Sequence, residues 1–211
     1  HRDEDVIKLA DDPDYDQTKF EEKLEIKGDN DHTKLIAMLN ALNDYSVPMS
    51  DILGKYFDTE NLAYWMAFQL LTGNTDTQSR NMYLYSPTNS DTFYVLDWDN
   101  DGMLMRKEYE IKQRSDGKSW ENGISNYWGN MLFSRCLQTK SFRTALDKAI
   151  QDEYKYMNAN RINSMVKHYR SITEQYVWKM PDSMYEGVTK SQYDVIANQL
   201  HSEIEQNYQT Y

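Results

Sequence analysis

The chain has 211 residues, of which 34 are acidic and 23 basic, giving a formal net charge of −11. A surface of that sign repels phosphate backbones and excludes an ordinary nucleic-acid binder, because such proteins gain most of their affinity from Lys and Arg on phosphates. One cysteine excludes an internal disulfide framework. The longest apolar run, residues 64–71, is interrupted by Gln69 and falls far short of the roughly 20 residues that span a bilayer.

Residues 1–32 form an acidic lead-in with Pro13 in its middle and room for one short helix. The remainder, 33–211, is expected to be one domain, long enough to bury a core without covalent staples. Apolar residues at Leu35, Ile36, Met38, Leu39 and Leu42 recur at helical spacing over 33–43, and Pro48 with Ser50 opens a second short helix. Residues 59–72 carry Leu62, Trp65, Met66, Phe68, Leu70 and Leu71 and leave almost no polar face, so this helix belongs at the centre of a helical layer. Gly73 stands where a left-handed C-terminal cap is wanted.

The character then changes. Residues 81–85 and 92–96 are β-branched and aromatic runs joined by a six-residue turn, which predicts a β-hairpin. After Trp120 the pattern returns to helices: 126–137, 142–157 behind Ser141, 161–178 behind Asn160, and 190–208 opened by the capping-box spacing of Thr189 and Gln192. The fold class is α+β and mostly α-helical.

Two polar clusters flank the hairpin: residues 73–81, with Asp76 and Asn81, and residues 97–102, with Asp97, Asp99 and Asp101. A hairpin returns its ends to one place, so these five side chains are expected to converge. Carboxylates so close need a cation between them, and oxygen ligands of this kind suit Mg, Mn or Ca. The order of parts is also that of a protein kinase: a catalytic Asp, an Asn five residues later, a hairpin, then a metal-binding Asp. In that scheme Asp76 orients and deprotonates the attacking hydroxyl, while Asn81 and Asp99 hold metal; Arg80 either meets phosphate or pairs with a carboxylate. A competing pattern runs from Asp97 to Glu108, which spells the calcium-loop expression of an EF-hand, although a strand rather than a helix is expected to lead into it.

Four blocks carry a family resemblance: 61–68 (NLAYWMAF), 71–86 (LTGNTDTQSRNMYLYS), 98–102 (WDNDG) and 123–129 (GISNYWG). They closely resemble the spore-coat CotH kinase family, over roughly residues 20–208. The resemblance implies an atypical protein kinase that uses ATP and a divalent metal to phosphorylate Ser or Thr of a protein substrate. Asp76 takes the catalytic role, with Asn81 and Asp99 as metal or nucleotide ligands. It also implies an extracellular or spore-coat setting, in keeping with the single cysteine and the abundance of Tyr, Asn and Asp. Kinases cover the phosphates with a Gly-rich loop in an N-terminal β-lobe. The eight glycines here are scattered without a Gly-x-Gly pattern, so the chain reads as the C-terminal lobe without that partner. Lacking a starting Met, it also reads as a piece of a longer protein.

Two other functions share these residues: a non-catalytic, calcium-stabilised interaction module, and a kinase-like fold that transfers a nucleotidyl group. Beside the site, Trp98 is expected to pack, as are Trp120, Tyr127 and Trp128, and Cys136 is expected to be a buried inert thiol. The four histidines show no zinc spacing.

Overall fold

The computed structural model describes residues 26–28, 30–74, 76–78, 81–104, 126–185, 187 and 189–211. The lead-in therefore lies almost wholly outside the described residues, as do Arg80, Glu108 and Trp120. The chain divides into two compact units, His1–Val47 and Pro48–Tyr211. In the first, α1 (Thr33–Asn43) starts where the Asp31 carboxylate accepts the Thr33 N–H at 2.9 Å. Thr33, through its side chain first and its backbone N–H second, holds the Asp31 carboxyl below its ordinary range. After the helix, Asp44 accepts both the backbone N–H and the hydroxyl of Ser46, an Asx turn that ends the unit.

The second unit is built around α3 (Thr59–Leu71), which follows α2 (Met49–Tyr56). Leu62, Ala63, Trp65, Met66, Ala67, Leu70 and Leu71 are all buried, so the helix must be covered on every side. One cover is α5 (Lys140–Tyr156), whose Phe142, Leu146, Ala149 and Ile150 are buried at the helical spacing i, i+4, i+7, i+8. A second is α4 (Met131–Gln138), where Phe133 stacks on Trp65 at 5.5 Å and meets Tyr127 edge-on at 5.4 Å. A third is α7 (Lys190–Thr210), whose buried Asn207 donates its side-chain N–H to the Leu71 carbonyl at 3.0 Å. That bond satisfies a carbonyl the end of α3 would otherwise leave without a partner.

The sheet is a two-stranded antiparallel hairpin, β1 (Met82–Tyr85) and β2 (Tyr94–Asp97), in register Met82↔Asp97 through Tyr85↔Tyr94. Its connection is longer than the expected six residues because Phe93 pairs elsewhere. The Phe93 N–H donates to the Tyr56 carbonyl at 2.7 Å, and its carbonyl accepts the Asp58 N–H at 3.2 Å. Asn61 then grips the next ladder position, accepting the Val95 N–H at 2.7 Å and donating to the Val95 carbonyl at 3.2 Å. Thus the N-terminus of α3 stands in for a third strand along β2.

Helix starts differ from expectation in two places. Lys140 opens α5 two residues before Phe142, with Thr139 rather than Ser141 at the cap, and Asn158 rather than Asn160 caps α6 (Ala159–Val177) by accepting the Arg161 N–H. The segment expected as one helix from 126 is a short 3-10 turn, Asn126–Gly129, and then α4 behind the Asn130 cap. The capping box of Thr189 and Gln192 is present as read. Cys136 is fully buried and its thiol is pushed up by that burial, which makes it inert. None of the described helices is long and apolar enough to cross a membrane.

Tyr127 is buried among these layers. Its hydroxyl donates to the Asn74 carbonyl at 2.8 Å and lies 3.3 Å from the Thr77 hydroxyl, bolting the segment after α3 to the 3-10 turn before α4. Burial pushes the phenol up and keeps it protonated. Tyr127→Phe leaves a buried carbonyl without its donor and should lower unfolding stability by about 1–3 kcal/mol in denaturant titration.

Between the end of α3, the loop at 103–104, α5, α6 and α7 runs an apolar groove of 510 Å³, lined by Phe68, Leu104, Met165, Tyr169, Leu200 and Ile204 among others. Glu153 stands in its wall, and burial, followed by the fields of Asp97 and Asp152, raises its carboxyl above the ordinary value of 4.5. A raised carboxyl favours the folded state fully only below its unfolded value, and that contribution is lost as the pH climbs through the folded one. Glu153→Gln should therefore raise the melting temperature at neutral pH and have little effect below pH 4.5, as read by paired thermal melts.

Candidate functional site

Each polar residue of the site is placed by the end of an element whose geometry the sequence dictates. The α3 helix closes in a Schellman motif: Gly73 takes φ +65°, its N–H reaching the Leu70 carbonyl, while the Asn74 N–H reaches the Gln69 carbonyl at 2.9 Å. This reversal buries Asn74 completely and starts the 3-10 turn Asp76–Gln78 beside the helix end. Asp76 is half-buried. The Asn74 side-chain oxygen accepts the Asp76 backbone N–H at 3.2 Å, and Asn81 donates to the Asp76 carboxylate at 2.6 Å. The five-residue spacing thus brings Asp76 and Asn81 into direct contact.

Asn81 has φ +56°, a left-handed conformation that Asn tolerates, and turns the chain into β1. Because Met82 pairs with Asp97, Asn81 sits one residue from the strand exit that carries the second cluster. Asp97 ends β2 and accepts from Gln69 at 3.0 Å. Asp99 is exposed, takes φ +55°, and leads into the 3-10 turn Asn100–Gly102, which contains Asp101, also exposed. Leu104 follows with φ +55°, a conformation that costs a non-glycine residue about 1–2 kcal/mol, and its N–H donates to the Thr72 carbonyl at 2.7 Å. Of the three left-handed residues Asn81, Asp99 and Leu104, only Leu104 is of a type that makes the conformation costly.

The expected convergence of all five side chains is realised only in part. Asp76 meets Asn81, but among the described residues no three of His, Cys, Asp or Glu gather as they would to cage a metal ion. The physical reason is that amides, rather than carboxylates, carry the contact between the two turns. Gln69 donates to Asn100 at 3.2 Å as well as to Asp97, and Asn74 donates to the same Asn100 oxygen at 3.2 Å. Gly102 passes so close that a Cβ there would lie 3.1 Å from the Asn74 oxygen. Gln69, Asn74 and Asn100 were not singled out as site residues by pattern alone. The signal for Gln69 was present, since it interrupts an otherwise apolar helix and is itself fully buried.

One further expectation is corrected. Trp98 does not pack into the core; it is 55% exposed and meets Tyr83 edge-on at 5.0 Å on the open face of the hairpin. As expected, the EF-hand pattern is entered by strand β2 and not by a helix, so the helix-loop-helix that the pattern requires is not formed at its first half. Tyr127 lies in the core as expected.

The expected ligands Asn81, Asp97, Asp99 and Asp101 offer only hard oxygen. Such a set fits a cation of the Mg type, which takes one or two carboxylates and completes its shell with water and substrate phosphate rather than with a full protein cage.

No curated protein and no solved structure matches the chain. A family model described as CotH kinase protein matches residues 1–211, the whole length. With a mostly helical fold and one small antiparallel sheet among the described residues, and an Asp–Asn pair at the hairpin mouth, the chain belongs to the CotH kinase family.

Proposed function

We propose that the chain is the larger lobe of a kinase-like enzyme that transfers the γ-phosphoryl group of ATP to a Ser or Thr hydroxyl of a protein. The observation that carries this reading is the 2.6 Å contact between Asp76 and Asn81 at the mouth of a hairpin whose other strand exits at Asp97. Asp76 accepts the proton of the attacking hydroxyl; the new P–O bond forms as the bond to the β,γ-bridging oxygen breaks, and ADP leaves. Asn81, by donating to Asp76, fixes which carboxylate oxygen faces the acceptor. Asn81 and Asp99, with Asp97 and Asp101 beside them, are the residues that would hold Mg or Mn, which neutralises phosphate charge. Arg80 adjoins this pair in sequence and is assigned to the nucleotide phosphates. Catalysis of this kind rests on positioning and charge, so it needs few residues and places them tightly. Following the family's name, we assign the protein to the spore coat or another extracellular assembly.

The test incubates the chain with Mg or Mn, a Ser/Thr peptide library, and ATP labelled at either the α- or the γ-phosphate. Label from the γ-position should appear on Ser or Thr, and Asp76→Ala or Asp99→Ala should lower the rate by at least about 100-fold with the circular dichroism spectrum kept. Label transferred from the α-position identifies a nucleotidyl transferase instead. Calcium binding indifferent to ATP, with no transfer of either label, identifies the structural module.

A further inference from the structure

A fully buried glutamine on an apolar helix needs a reason. Gln69 spends its N–H groups on the Asp97 carboxylate and the Asn100 side-chain oxygen, while its own Oε1 is buried with no hydrogen-bond partner. An acceptor buried in that way costs stability, and a residue present for packing alone would be apolar. The bonds beyond it form one chain with a single polarity. Asp97 can only accept, which points the Gln69 N–H groups at it. The Asn100 oxygen then takes donors from both Gln69 and Asn74, and the Asn74 oxygen is left to accept the Asp76 backbone N–H. Asn81, donating to the Asp76 carboxylate, closes the far end.

We propose that Gln69 is a positioning residue: through Asn100 and Asn74 it locks the loop that leaves β2 to the turn that carries Asp76, so that the two halves of the site share one setting. Asn74 is the joint. It uses its carbonyl toward Asp76 and its amide N–H toward Asn100, a pair of duties that neither a carboxylate nor an aliphatic side chain of the same size performs. Gly102 suits this approach, since a Cβ there would lie 3.1 Å from the Asn74 oxygen and Asn74 would have to give way by a few tenths of an ångström. Phosphoryl transfer enters the inference only as one of its readouts, which rests on the function proposed above.

The experiment compares the full chain with Gln69→Met and Gln69→Glu by hydrogen exchange, thermal melting and phosphoryl transfer. Gln69→Met removes the unpartnered acceptor with little change of volume. It should leave the melting temperature equal or higher, while exchange at residues 74–78 and 97–104 rises about tenfold or more and kcat falls by a similar factor. Gln69→Glu sets two carboxylates face to face; exchange protection and kcat, taken relative to the parent chain at each pH, should fall at neutral pH. Both should return in part as the pH drops into the carboxyl range, where a protonated Glu donates one hydrogen bond in place of the two that Gln donates. Unchanged exchange in both segments overturns the proposal whatever the activity. Faster exchange in a protein whose parent transfers no phosphate upholds the lock and sinks the kinase reading instead. If Gln69→Met lowers the melting temperature, Gln69→Glu decides: recovery at low pH supports positioning, and no recovery assigns Gln69 to packing alone.

Discussion

The need to cover α3 on all sides governs the second unit. A helix that presents Trp, Leu and Met around its whole circumference cannot lie on a surface, so α4, α5, α7 and the hairpin are arranged about it as layers. What makes this cover specific is the small polar complement of the helix. Asn61, near one end, takes both backbone groups of Val95, and Gln69, two turns further on, takes the side chain at Asp97. The two contacts are eight residues apart on the helix and two apart on the strand, which fixes how β2 lies along α3. A hairpin of two four-residue strands would be marginal in isolation. Here it is held by the helix it serves, and the site sits at the end where the second contact falls.

Much of this was legible in the sequence, for identifiable reasons. The α3 helix was plain because its apolar girdle is extreme, and Gly73 because a helix that must reverse needs a residue at ease with positive φ. Hairpin and capping box follow from local patterns that a few residues settle. The starts of α5 and α6 were harder: Ser141 and Asn160 are as good caps by type as the residues used, and tertiary packing rather than type chose between them. In the site, the Asp76–Asn81 contact was visible as a spacing. The amides of Gln69, Asn74 and Asn100 were not, because whether a carboxamide bridges two segments depends on which groups face it. Trp98 was misread for a related reason, since alternation along β2 continues past its end and turns that ring to the open face.

The site also shows how an acidic protein spaces its carboxylates. Neutral amides are interleaved between the charged groups, so that each of Asp76 and Asp97 receives at least one directed N–H. This holds those two acids in fixed places while Asp99 and Asp101 remain open to solvent.

The bond from Asn207 to the Leu71 carbonyl spans 136 positions of the chain. It joins the last helix to the residue just before the turn that leads to Asp76. A closure over that distance is among the slowest steps a fold can demand, because the intervening chain must be brought together before the contact repays its entropy. During synthesis, then, the turn that carries Asp76 emerges well before its support. The ribosome must release residue 207 before the end of α3 is fully satisfied, so a product interrupted ahead of that residue keeps the acidic residues yet lacks the brace behind them.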